Sequence, residues 1–139
     1  MIVGFPTETD ADFDRTLDLV RQARFHAMYS FKYSPRPNTL AIKRMADDVP
    51  EAEKTRRILT VQALQREIQW EWHRGMVGRV FPVMADSVSR RRSSELAGRT
   101  SGNVVVNFPG TPDQIGALAD VRVTEAGPNS VRGDQVHAD

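Results

Sequence analysis

The sequence predicts an α+β chain in two parts: a βαβ unit, a long helix, and then a small five-stranded antiparallel β-barrel. Three observations lead there. Strand-like and helix-like patterns alternate up to about residue 33, as they do where parallel strands are joined by helices. From residue 51 to about residue 73 the apolar positions recur at helical spacing. After Arg74-Gly75 the chain changes to short apolar runs separated by turn residues, the pattern of a small all-β domain.

Met1-Ile2-Val3-Gly4-Phe5 is apolar without alternation, so it is expected as a strand buried on both faces of a parallel sheet. A buried strand that begins at the first residue suggests a preceding segment. Thr9 and Asp12 have the spacing of a capping box, and Asp10, Asp12 and Asp14 fall where a helix dipole favours anions. Phe13, Leu17 and Val20 share one face, which predicts a helix from residue 10 to about 24. In residues 25–33, Ala27, Tyr29, Phe31 and Tyr33 alternate with Met28, Ser30 and Lys32, predicting a second strand. Pro35 and Pro37 stiffen the next loop, and residues 39–45 form a short helix. Pro50 is placed to open the long helix, with Ile58, Val61, Leu64 or Gln65, Ile68 and Trp72 as its stripe. The barrel strands are expected at 77–85, 96–100, 104–108, 117–124 and near 130–132. The units are then 1–50, 51–74 and 75–136.

Of 139 residues, 40% are hydrophobic and 27% charged, a globular composition. The net charge of +1 says nothing about an anionic partner, but its distribution does. Residues 74–99 hold six arginines against Asp86 and Glu95, whereas residues 113–139 hold five acidic residues against Arg122 and Arg132. A surface polarised in this way steers a polyanion even when the sum is near zero. Cysteine is absent, so this chain supplies no disulfide, no catalytic thiolate and no cysteine ligand for zinc or iron–sulfur clusters. There is neither an apolar run of membrane-spanning length nor a signal-peptide layout, which makes the cytoplasm the default location.

The forked guanidinium of arginine matches the oxygens of a phosphate, so Arg90-Arg91-Arg92, with Arg79 and Arg99, are candidates to hold a nucleic-acid backbone. The plain alternative is a solvated charged loop. Asn107 and Phe108 have the chemistry to read and stack a base, while a core phenylalanine at a strand end is the plain alternative. Glu8 and Arg36 stand in loops after the first two strands, where α/β folds place their sites. His26, His73 and His137 lack metal-ligand spacing, and no residue set completes a catalytic constellation.

Several of these stretches resemble a known family. Ile2-Val3-Gly4-Phe5-Pro6-Thr7-Glu8-Thr9 with Asp12-Phe13 and Thr16-Leu17 is similar to the late barrel strand and helix of radical SAM methylthiotransferases. Tyr33-Ser34-Pro35-Arg36-Pro37-Asn38-Thr39 resembles that family's closing strand and loop, and Gln62-Ala63-Leu64-Gln65-Arg66-Glu67-Ile68 its connector helix. Residues 77–134 resemble a TRAM domain, a small OB-like RNA-binding β-barrel. Gly98-Arg99-Thr100, Asn103, Val105-Val106-Asn107-Phe108-Pro109-Gly110 and Pro128-Asn129-Ser130-Val131-Arg132-Gly133 look most like the branch acting on tRNA.

The resemblance implies the end of a radical SAM (TIM-like) barrel followed by a complete TRAM domain. It implies an enzyme that methylthiolates an isopentenylated adenosine beside the tRNA anticodon, with the anticodon stem-loop as partner, no membrane, and a monomeric full-length form. The full-length family uses S-adenosylmethionine and two 4Fe-4S clusters held by cysteines that this chain lacks, so the chain alone is expected to bind no cofactor and to be inactive. An RNA-contact role is carried over to Arg99, Asn103 and Arg132. The family usually has glycine where Thr7 and Asn38 stand, so the loop carrying Glu8 is expected to be altered. Three other readings stay open: a stand-alone RNA-binding protein, a fragment of the threonylcarbamoyladenosine branch, and a remnant without function.

Overall fold

Thr9 opens the first helix as its spacing from Asp12 predicts: its hydroxyl accepts from the Asp12 amide, and the Asp12 carboxylate accepts from the Thr9 amide. The helix α1, Asp10–Ala23, buries Phe13, Leu17 and Val20 and ends on Arg24 in the left-handed region. In a computed structural model of the chain, residues 1–137 are described, and the chain divides into the units Met1–Gln69 and Trp70–Asp139. Asp139, counted above among the acidic residues, lies outside the described residues.

In the first unit, β1 (Ile2–Val3) pairs in parallel with β2 (Phe31–Lys32), in the register Ile2↔Phe31 and Val3↔Lys32. The predicted order of strand, helix and parallel strand is therefore present. Two expectations need correction. The second strand does not span 25–33: β1 pairs only from Ile2, whose parallel partner is Phe31, so residues 25–30 have no partner strand, and Tyr29 is exposed; at the other end the turn at Gly4, φ 73°, stops the pairing after Lys32. Nor is β1 buried on both faces, since Val3 is buried but Ile2 is 55% exposed. A short helix α2, Leu40–Arg44, is capped by Thr39, and α3, Glu51–Arg74, follows Pro50. Val61 and Ile68 of α3 join Val3, Phe13, Leu17 and Val20 in one core.

In the second unit five strands close a barrel: β3 (Val80–Val88), β4 (Glu95–Arg99), β5 (Val105–Pro109), β6 (Leu118–Ala126) and β7 (Val131–Gln135). Their order around the barrel is β3-β4-β5-β7-β6, with β6 returning to β3. All neighbours are antiparallel except β5 and β7, which run parallel through Val106↔Val131 and Asn107↔Arg132. The expected wholly antiparallel barrel is thus corrected to a mixed one, and the reason is counting. In a closed ring of alternating directions, an odd number of strands leaves one neighbouring pair pointing the same way. The interior is filled by inward-facing Val83, Leu96, Val106, Phe108, Val121, Val123 and Val131. Gly98 also faces in, against β3, where an added Cβ would stand 2.2 Å from the Met84 carbonyl oxygen. Among the described residues no helix is long and apolar enough to cross a membrane.

A candidate nucleic-acid interface

Alternation on the barrel strands decides what faces out. Leu96, Val106, Phe108 and Val131 are buried, so Ala97, Asn107 and Arg132, one position away, take the outer face. Register then aligns them: Ser87 pairs with Ala97, Ala97 with Asn107, and Asn107 with Arg132. This outward row crosses β3, β4, β5 and β7. Next to it lies a groove of about 430 Å³ whose lining includes Arg90, Arg91, Arg99, Asn107 and Ser130 over small side chains such as Ala97.

The loop between β3 and β4 presents its arginines because its base is tied down. The Ser89 amide donates to the Glu95 carbonyl at 2.8 Å, and the Glu95 amide to the Arg92 carbonyl at 3.1 Å. Arg90 and Arg91 are exposed between these ties. On β4, Arg99 donates from Nη1 to Oδ1 of Asn103 at 2.9 Å, and Asn103 holds the turn in the left-handed region at φ 65°. Asparagine tolerates that conformation, so one residue both makes the turn and aims the arginine. Asp86 is the acidic group of the groove, and its carboxylate accepts from the Ser87 hydroxyl at 2.7 Å. The chemistry offered is three guanidinium groups, one amide and hydroxyls around a floor of small residues, which suits a phosphate chain.

The remaining candidates separate. Glu95 is buried and takes ion pairs from Arg92, at 3.7 Å, and from Arg132; Arg132 also reaches Glu125 at 3.5 Å. Their charge is partly offset within the barrel. Arg79 lies over the Phe81 ring at 5.2 Å and does not line the groove. Phe108 is 0% exposed and is the largest side chain of the barrel core, so it packs as a core residue and, contrary to the base-stacking expectation, offers no free face to a base. Sequence reasoning missed Ser87 and Ala97. Ser87 falls beyond the strand expected at 77–85, because the last residues of β3 lack an apolar run, and Ala97 has no chemistry that marks it.

In the first unit Glu8 accepts from the Gly4 amide at 2.8 Å and from Arg57 Nη1 at 2.7 Å. Arg57, itself buried, also bonds Glu53 at 2.9 Å and Asp10 at 3.2 Å. The Glu8 carboxylate is therefore engaged in holding the unit together. Arg36 lines a separate groove of about 560 Å³ with Ile2, Phe5, Phe31 and Tyr33, and Glu8 is not part of that lining. Thr7 at φ 71° and Asn38 at φ 67° both lie in the left-handed region, which is the conformation glycine would supply. Among the described residues no cluster of three or more His, Cys, Asp or Glu could hold a metal ion.

Comparison with known proteins adds to this geometry. Residues 74–136 match the TRAM domain. All five barrel strands fall within the matched residues. The whole chain is also similar to tRNA-2-methylthio-N(6)-dimethylallyladenosine synthase of Escherichia coli O139:H28 (strain E24377A / ETEC), at 44% identity over 99% of this chain. The protein of the same name from Shigella boydii serotype 18 (strain CDC 3083-94 / BS512) matches equally, at 44% over 99%. The match falls on the C-terminal part of these relatives, and the chain spans 29% of their length. The arginine groove lies within the residues that match the TRAM domain, on the face crossed by β3, β4 and β5.

Proposed function

We propose that the chain is the tRNA-holding C-terminal part of a methylthiotransferase, with the TRAM barrel binding RNA through the groove of Arg90, Arg91 and Arg99. The observation that carries this reading is the convergence of those arginines on one side of a TRAM barrel, within a chain similar throughout to a tRNA-modifying enzyme. In this reading residues 1–50 are the end of a radical SAM barrel, 51–74 a connecting helix and 75–136 the RNA-binding domain. The substrate is N6-isopentenyladenosine next to the anticodon, the partner surface is the anticodon stem-loop, and the compartment is the cytoplasm. Arg99, oriented by Asn103, touches phosphate directly, and Asn107 faces the same groove. Arg132 supports that wall through Glu95.

The family's iron–sulfur chemistry does not fit the side chains present. The chain has no cysteine, and the Glu8 carboxylate is already bonded to Arg57 and Gly4. In this reading the chain by itself binds RNA without modifying it.

The test is fluorescence-anisotropy titration of the full chain with a tRNA carrying the isopentenyl group. Affinity should fall steeply with added salt, and Arg90→Ala, Arg91→Ala and Arg99→Ala together should weaken binding by at least about tenfold, because counterion release scales with phosphates neutralised. Binding that is undetectable, or indifferent to both salt and these substitutions, would remove the reading. A methylthio product formed by this chain with S-adenosylmethionine and a reductant would overturn its proposed inactivity.

A further inference from the structure

The second unit contains four aromatic residues, Trp70, Trp72, Phe81 and Phe108. Phe108 is sealed in the barrel core, and Phe81 packs against that core beneath the guanidinium of Arg79. Trp70 donates its indole N–H to the Ala126 carbonyl at 3.2 Å and lies under Arg74 at 4.7 Å. None of the four lines the arginine groove, whose outward row is Ser87, Ala97, Asn107 and, beyond it, Arg132. Small barrels that grip individual bases do so on aromatic side chains set into the binding face, and each stacked base is worth about 5- to 150-fold in affinity. Here that face offers guanidinium groups, hydroxyls, the single amide of Asn107 and a floor of Ala97, Gly98 and two valines instead.

Resting on the RNA reading of the same groove, we infer that it tracks the sugar–phosphate backbone of a single strand and does not read bases. The row spans three inter-strand steps, roughly 14 Å at the usual strand spacing, room for a short run of phosphates. Arg90 and Arg91 sit on the loop at one side of this path, and Arg99 on the strand itself. Selection of a particular adenosine then falls to parts of the protein other than this barrel face, and the barrel contributes affinity that is indifferent to sequence.

The experiment compares two fluorescent oligoribonucleotides of about twelve residues, oligo(U) and an abasic ribose-phosphate strand of equal length and charge, titrated into the full chain. The two should bind within about fivefold of each other. Both should show a slope of log K against log salt near about −2, from three arginines at roughly 0.7 each on single strands. Combined Arg90→Ala and Arg91→Ala should bring both slopes to about −0.7, with the circular-dichroism melt unchanged. If oligo(U) binds more than about fivefold tighter than the abasic strand, the inference falls while RNA binding stands. If neither strand shows salt-dependent binding, the RNA reading of the groove falls and the inference with it.

Discussion

Thr7 puts a β-branched side chain at φ 71°, a conformation that costs an L-residue about 1–2 kcal/mol. Its amide donates to the Asp48 carboxylate at 2.7 Å, one of the contacts that hold the loop in place. Thr7→Gly would keep that amide and remove the strain, at the expense of a more flexible unfolded chain. The expected result is a gain of about 0.5–1 kcal/mol in urea denaturation; a loss would mean that the threonine side chain makes a contact worth more than the strain. Asn38 and Asn103 meet the same backbone demand at φ 67° and 65° with a residue that tolerates it, so neither position offers a similar gain.

At the scale of elements, β3 and β4 depend on the absence of a side chain at Gly98. An alanine Cβ there would stand 2.2 Å from the Met84 carbonyl oxygen and 2.8 Å from Val83 Cγ1, so the strands must part. Gly98→Ala is expected to cost about 1–3 kcal/mol and lower the thermal midpoint of the barrel, and an unchanged melt would show that the sheet yields freely. The helices were legible in the sequence because their signals are local: Thr9 with Asp12, Pro50 before Glu51, and Phe13, Leu17 and Val20 on one face. The barrel strands were found from their apolar runs, to within about three residues at their starts and ends. Partnerships were not legible. Arg132 meets Glu95 across 37 positions and Arg57 meets Glu8 across 49, and no local pattern records such distances. The arginine groove was half-visible: Arg90, Arg91 and Arg99 stand out in the sequence, but only the register of β3, β4 and β5 puts Asn107 beside them.

For the molecule as a whole, acid should act first on the helical unit. Glu53 is held down from 4.5 to about 2, chiefly by its hydrogen bond from Arg56 and then by Arg57. Asp12 is lowered by the Thr9 amide and hydroxyl, and Glu51 by the hydrogen bond from Lys32. Depressed carboxyls contribute stability in full above their unfolded values and lose it as pH falls through the folded ones. Helical ellipticity should therefore melt at progressively lower temperature as pH drops from 4.5 toward about 2, and be flat with pH above that window. A melt that is constant down to pH 2 would contradict these ion pairs.

The single parallel neighbour pair of the barrel also bears on how it folds. Antiparallel neighbours can be joined by a short loop, as β3 to β4, β4 to β5 and β6 to β7 are here, so those hairpins can form from nearby chain. Parallel neighbours cannot, and Val106 finds Val131 only after β6 has carried the chain back across the ring. Closing the ring thus takes two long-range pairings, β5 with β7 and β3 with β6, and each pays its loop entropy before contacts repay it. Asn107 and Arg132 meet at that junction, so the outward row is continuous only in a barrel that has finished closing.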